Sequence, residues 1–376
     1  DVRVLCDVDL AQTAKAAARF PGAEIVQDFR RVIERKDLDG VVISTPDHWH
    51  AIPAVWAMKS GKHVYCEKPL AHSVYECRVM IETAKEEKKV TQMGTQIHAG
   101  ANYRRVVELV QSGAIGTVER VEVWCDRKAD RGKLAGPGNP IPSTLDYDLW
   151  IGPAPMRPFD PKVVPFHWRW WWEFGGGVLA DMGCHYMDLV HWSLDLKHAT
   201  RISATGTRLT DADNTVPAEL KADFHYPAQK DRPAVHLTWY HGNPGPLDEN
   251  GKVRGYGMGS GVLFHGSKGQ LVADYGRHRL LPEPQFAGFV RPAPTIPDSV
   301  GHHQEWINGI RNGTATTCNF AYSGALAETV LLGNVAFRLG KEIEWDPKRL
   351  KVKNVPQSEW EELVRREYRA SWKLKG

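Results

Sequence analysis

Apolar and polar positions follow two different rhythms along this chain. Over the first 95 residues, short apolar runs at 2–6, 24–26, 40–44, 63–66 and 90–93 are separated by stretches of helical spacing at 10–20, 29–35 and 52–59. A fourth helical stretch begins after Ser73, where Val74, Cys77, Met80, Ile81 and Ala84 recur on one face and Ser73 with Glu76 forms a capping box. Gly61 stands where the preceding helix must end. Strand–helix alternation of this kind predicts parallel strands joined by helical crossovers, with ligands bound at the carboxyl ends of the strands. Those ends carry Asp7, Ser44-Thr45-Pro46, Glu67-Lys68-Pro69 and Gly94-Thr95-Gln96.

After residue 100 the rhythm changes. A helix at 103–111 stops at Gly113, and runs with β character follow at 118–124, 201–209, 219–225, 234–240 and 261–265, without helices regularly between them. That predicts a mostly antiparallel sheet. Residues 127–165 are rich in glycine and proline and read as a long ordered loop. A helix from Val178 puts Leu179, Met182, Tyr186, Leu189 and Val190 on one face, with Asp181, His185, Asp188 and Trp192 along another. A last helix spans 321–339, and the basic tail after Pro347 reads as an arm packing on another surface. The expected fold is α/β: a Rossmann-type doubly wound parallel sheet over 1–96, and an α+β substrate and oligomerisation domain with a large, mostly antiparallel open sheet over 97–320. The helix and arm of 321–376 pack back on the body.

Composition changes this picture little. A length of 376 residues agrees with two domains at about 150 residues each. The net charge of +3 argues against a nucleic-acid partner. No membrane partner is expected, because the most apolar stretch, 325–339, is interrupted by Glu328, Asn334 and Arg338. Six cysteines, none in a CxxC pair, indicate neither a zinc knuckle nor a disulfide scaffold. Fourteen tryptophans do stand out, four of them at positions 168, 170, 171 and 172.

Candidate chemistry begins with what the first strand lacks. No GxGxxG lies between it and its helix, yet it ends in an acid, at the place where dinucleotide folds hold the ribose hydroxyls. The expectation is that a first strand, glycine loop and first helix, roughly 30 residues of a βαβ unit, are missing ahead of Asp1, leaving the unit incomplete. Asp7 is then the ribose ligand, and its carboxylate, repelling a 2′-phosphate, favours NAD(H) over NADP(H). The plainer alternative is that Asp7 or Asp9 caps the helix from Leu10. Ser44, Thr45 and Pro46 end a strand where backbone groups can line a cofactor, and His50 starts the next helix. Lys68 ends another strand; it either exchanges a proton with an alcohol or simply pairs with Glu67. Asp181 and His185, one turn apart, suit proton transfer, with a structural pair or a metal site involving Asp188 as alternatives. In the run Phe166 to Trp172, indoles can stack on sugar C–H faces while Arg169 donates to hydroxyls, or the run is an aromatic core or interface. If extended, it points Trp168, Trp170 and Trp172 one way and Arg169 and Trp171 the other.

Together CEKPL (66–70), TPDHWH (45–50) and GGGVLADMGCHYMD (175–188) resemble the Gfo/Idh/MocA superfamily of oxidoreductases, named for glucose–fructose oxidoreductase and inositol dehydrogenase. The resemblance implies an NAD(P)-binding domain, a second domain whose open sheet often forms an oligomer interface (a dimer or tetramer), and oxidation or reduction of sugar or polyol hydroxyls. It implies Lys68, Asp181 and His185 as the catalytic group, with the choice of base between Lys68 and His185 open. It places Thr45, Pro46, His50, Glu67 and Gln96 at the cofactor, beside Asp7, Ser44 and Lys68. His98, Arg169, Trp168 and Trp170 are the expected substrate contacts, and no metal is expected. Some members resemble proteins exported folded by the twin-arginine route, so both cytoplasm and periplasm stay open. An NAD-dependent glycoside hydrolase or lyase with transient oxidation, a non-catalytic sugar-binding protein and a metal hydrolase are the competing functions.

Overall fold

The computed structural model describes residues 1–129, 132–209, 211–242, 245–246, 256–369 and 371–374. Its first part follows the expected alternation: β1 (Val4–Cys6), α1 (Leu10–Ala17), β2 (Glu24–Val26), α2 (Phe29–Glu34), β3 (Gly40–Ile43), α3 (Ala51–Lys59), β4 (His63–Cys66), α4 (Val74–Glu86) and β5 (Thr91–Met93). Local chemistry sets the helix starts. Asp9 accepts from the Ala11 amide and Asp28 from the Arg30 amide, and the Ser73–Glu76 capping box is present on α4. All the strand pairings here are parallel, but they form two sheets, β1–β2 and β3–β4–β5. Cys6 of one and Val41, Val42 and Ile43 of the other line the same cavity.

The second part contains α5 (Ala101–Gln111), β6 (Val118–Cys125), α6 (Tyr147–Ile151), α7 (Gly177–Leu194), β7 (Arg201–Thr207), β8 (Glu219–Tyr226), β9 (Val235–His241), β10 (Gly261–Gly266), β11 (Gly269–Ala273) and β12 (His278–Leu281). Then come α8 (His302–Asn312), α9 (Phe320–Leu339), β13 (Ile343–Asp346), β14 (Lys351–Val352) and α10 (Gln357–Val364). Among the described residues, nine strands form one sheet in the order β12-β11-β10-β6-β9-β8-β7-β13-β14. Its pairings are antiparallel except between β6 and β9, which run parallel at the centre.

α7 lies against this sheet and against α9, which also packs on α4. α9 is long and apolar enough to cross a membrane, but most of it is buried inside the molecule. Its buried carboxylate is matched: Glu328, 2% exposed, binds Arg78 at 2.8 Å and His198 at 2.8 Å, and accepts from the Trp345 indole at 3.0 Å.

The C-terminal arm returns to the first part. Arg366 and the Tyr368 hydroxyl bind Glu76 at 2.8 and 2.7 Å, and Arg366 also donates to the His48 carbonyl. Trp372 packs edge-on against Trp49 at 4.7 Å and stacks on Phe29 at 6.0 Å.

Several core histidines make stability depend on pH. Burial pushes His48 and His191 down to about 3 and His241 down to about 4. In the unfolded chain each takes up a proton below about pH 6.5, whereas the folded chain does not. The unfolded state therefore binds more protons, and stability is lost as pH falls from about 6.5 toward 4, by up to about 1.4 kcal/mol per pH unit for each group. Denaturant midpoints should drop steadily at pH 7, 6 and 5; equal midpoints at 7 and 5 would contradict this.

Candidate active site

A cavity of about 600 Å³ runs along the carboxyl ends of β1, β3 and β4. Asp7, Ser44, Thr45, Pro46, Glu67 and Lys68 line it, together with Trp168 and Arg169. Asp9 takes the capping role on α1, and Asp7 accepts from the Asp9 amide at 2.9 Å while facing the cavity. Its carboxyl is raised by burial, so a hydrogen-bonding ligand would find it short of partners. Glu67 lies across Gly94, where a Cβ would stand 2.5 Å from its carboxylate, so only glycine leaves it this position. Gln96 donates to Glu67 at 2.9 Å and to the Tyr65 hydroxyl at 3.1 Å.

Lys68 sits between the strand end and α7. Its Nζ donates to the Asp181 carbonyl at 2.6 Å and to Asp181 Oδ1 at 2.7 Å. Arg169 Nε donates to the same Oδ1 at 3.3 Å, and Arg127 Nη1 stands 2.6 Å from Oδ2. Burial opposes ionisation of Asp181, but Lys68, then Arg127 and Arg169, outweigh it and hold the carboxyl below its usual range.

His185, one helical turn on, makes no ring hydrogen bond among the described residues. Its backbone carbonyl accepts from the Tyr103 hydroxyl at 3.1 Å. Burial first and Lys68 second lower its ring to about 4, so it is neutral at pH 7 with a lone pair to offer. The expected pairing of Asp181 with His185 does not form; the carboxylate turns to the three cations instead.

Four expected contacts lie elsewhere. His50 is 1% exposed, its ring nitrogens facing the Pro69 carbonyl at 2.8 Å and the Thr45 carbonyl at 2.9 Å. It ties two strand ends together and does not reach the cavity. Gln96 acts on Glu67 and is absent from the lining. His98 is buried, bound to Asp188 at 2.9 Å and stacked on Trp192 at 3.9 Å. Asp188 also accepts from Tyr322 at 2.7 Å, which makes it a buried structural anchor. Among the described residues, no cluster of three His, Cys, Asp or Glu is placed to hold a metal. Trp170 is 1% exposed and belongs to the core.

The tryptophan run is not extended, so the expected alternation fails. His167–Trp170 form a 3₁₀ turn, and the Trp171 amide bonds the Trp168 carbonyl. Each indole carries a guanidinium over its face: Arg169 on Trp168 at 4.2 Å, Arg127 on Trp170 at 5.9 Å, Arg157 on Trp171 at 5.9 Å and Arg338 on Trp172 at 5.2 Å. Only Trp168 of the four lines the cavity.

Two site residues escape sequence reasoning. Asp47 lines the cavity, is 6% exposed and bonds through its side chain only to its own backbone amide among the described residues. Burial pushes its carboxyl up to about 8. Its place directly after the strand-ending Pro46 is the signal that could have found it. Arg127 opens the glycine- and proline-rich loop, and no local pattern marks it.

Residues 1–95 match the model described as "Oxidoreductase family, NAD-binding Rossmann fold", and residues 99–228 match "Oxidoreductase family, C-terminal alpha/beta domain". A glycosyl hydrolase family 109 protein of Shewanella pealeana is 32% identical over 127 residues, 31% of this chain and 27% of that protein. An α-N-acetylgalactosaminidase of Shewanella oneidensis matches equally, 32% over 127 residues with the same shares. The matches thus span little more than a quarter of these relatives. The dehydrogenase WlbA of Chromobacterium violaceum, solved with NADH and UDP-GlcNAcA, superposes with a TM-score of 0.63 at 17% identity, covering 92% of this chain and 88% of that one. A levoglucosan dehydrogenase solved with NADH and levoglucosan gives 0.59 at 18% identity, covering 94% and 90%. At these identities the structures show the shared fold.

Proposed function

The chain belongs to the Gfo/Idh/MocA oxidoreductase family and carries its NAD-binding domain, and from that premise we propose that it is a dehydrogenase acting on a hydroxyl of a sugar, polyol or glycoside. The observation that carries the reading is the junction of Lys68, at a strand end in the cofactor cavity, with Asp181 of α7. Nicotinamide, when bound, accepts or returns the hydride. Asp7 is suited to the ribose hydroxyls, and Ser44, Thr45, Pro46 and Glu67 to the walls of the site.

The residues divide the proton work. Asp181 takes two hydrogen bonds from Lys68, leaving the third N–H of the ammonium to hold the substrate oxygen. His185, neutral and without a ring partner, accepts the hydroxyl proton. Because its ring titrates near 4, this base is competent across the neutral range. His185→Gln should lower kcat about a hundredfold. The wild-type pH profile of kcat/KM should show no step near pH 6.5. A step there that vanishes in the variant would mean that the ring is not held neutral.

The direct test of the function is NADH formation during a screen of sugars, polyols and glycosides with the NAD-loaded protein. Turnover with none of them would overturn the dehydrogenase reading. The matches to family 109 glycosidases support a second reading, a glycoside hydrolase that oxidises transiently and keeps its NAD. It would release the aglycone without net NADH.

A further inference from the structure

The chain as a whole is close to neutral, but the stretch of cavity wall that carries Lys68 and Arg169 is not. These two and Arg127, which does not line the cavity, converge on the single carboxylate of Asp181 behind the lining residues. The other groups nearby do not restore the balance. Asp47, raised to about 8, is largely protonated at neutral pH, and His185, lowered to about 4, is uncharged. Glu67, also raised by burial, is already engaged by Gln96 and stands on the cofactor side.

The arginines are preorganised rather than free. Arg169 lies flat on Trp168 and on Phe166 at 4.2 and 4.6 Å, with Nε on Asp181 and Nη1 on the Phe166 carbonyl at 3.0 Å. Its Nη2 donors have no partner among the described residues. Arg127 is fixed between Asp181 and the Trp170 face. A guanidinium held flat, with unused donors at a cavity wall, matches an oxyanion with two oxygens. Beside it, Asp47 is nine-tenths buried, bonded to no other described side chain and in the same cavity. A protonated carboxyl donates a hydrogen bond, so Asp47 can join the arginine on a bound anion instead of repelling it.

Resting on the dehydrogenase reading above, we propose that this stretch of the cavity selects a substrate with a carboxylate, a sugar acid of the uronate class, held by Arg169 and Asp47 with Arg127 adding to the field. The acid group then fixes which hydroxyl lies at Lys68 and His185. The same cationic chemistry could instead serve the diphosphate of the dinucleotide, and the experiment separates the two.

The test is calorimetric titration of the full chain saturated with NADH, at neutral pH and low salt. The probes are D-glucose against D-glucuronate and D-galactose against D-galacturonate. At least one uronate should bind about tenfold or more tightly than its neutral partner, and added salt should shrink the advantage. If neither uronate outcompetes its neutral partner, or no uronate binds, the proposal is wrong. Arg169→Met should remove the preference and Arg169→Lys should retain part of it, with thermal melting confirming that both fold. A Met variant that keeps the preference overturns the proposal, as does one that loses NADH affinity and leaves the preference intact. The two readings fail differently. Neutral sugars turned over without acid preference would sink this proposal alone. A uronate preference without NAD reduction by any sugar would sink the dehydrogenase reading alone.

Discussion

Replacing Lys68 by methionine is expected to lower kcat by about a thousandfold or more while the protein still folds and binds NAD. Methionine keeps much of the side-chain volume but removes all three N–H donors. Asp181 would keep Arg127 at 2.6 Å and Arg169 at 3.3 Å, so no uncompensated buried carboxylate remains to unfold the chain. The substrate oxygen, by contrast, would lose its only ammonium donor among the residues lining the cavity. Lys68→Arg should not rescue activity, because the planar fork is longer and cannot place one donor between Asp181 and a substrate. Stopped-flow NADH formation, together with NADH titration, checks both halves. Near-normal turnover in Lys68→Met would remove Lys68 from the mechanism.

Gly152→Ala should cost roughly 3–5 kcal/mol of stability, although position 152 carries no chemistry. Gly152 has φ of +53°, and a Cβ there would stand 2.0 Å from Trp49 Cζ2. The indole cannot easily yield. Its Nε1 donates to the Leu149 and Trp150 carbonyls at 2.9 and 3.1 Å, and its ring is packed by Phe29 and Trp372. Trp49 also lines the cavity, so the variant should bind NAD more weakly even where it folds. Urea unfolding of the NAD-free protein gives the stability term; a loss under about 1 kcal/mol would show that Trp49 has room to move.

The sequence was legible where information is local. The capping box and helical period over 73–84 specify α4, and a strand ending at Glu67-Lys68-Pro69 puts Lys68 at the ligand end of the sheet. It was least legible where distant segments decide. Nothing near Val118 or Val235 announces that β6 and β9 pair in parallel, because each strand reads the same whichever neighbour it finds. The tryptophan run alternates on paper, yet Thr215, some 45 residues on, takes part in folding it: its amide bonds the Trp170 carbonyl and its hydroxyl accepts from the Trp172 amide at 3.0 Å. His98 is expected at the substrate, but its partner Asp188, 90 residues away, holds it in the core. Asp181 and His185 share a helix face as the spacing requires, but three cations, two of them from other segments of the chain, decide which way the carboxylate turns.

The returning arm has a consequence for how the protein is made. Arg366 meets His48 across 318 residues of chain, a closure whose entropy cost is about 5 kcal/mol, so this contact should form only after the intervening parts are compact. Trp372 then covers Trp49, a residue of the cavity wall. On the ribosome the dinucleotide-binding region is synthesised before the arm that walls it in. A nascent chain stalled before residue 366 would carry the strand ends and Lys68 yet hold them around an unfinished wall.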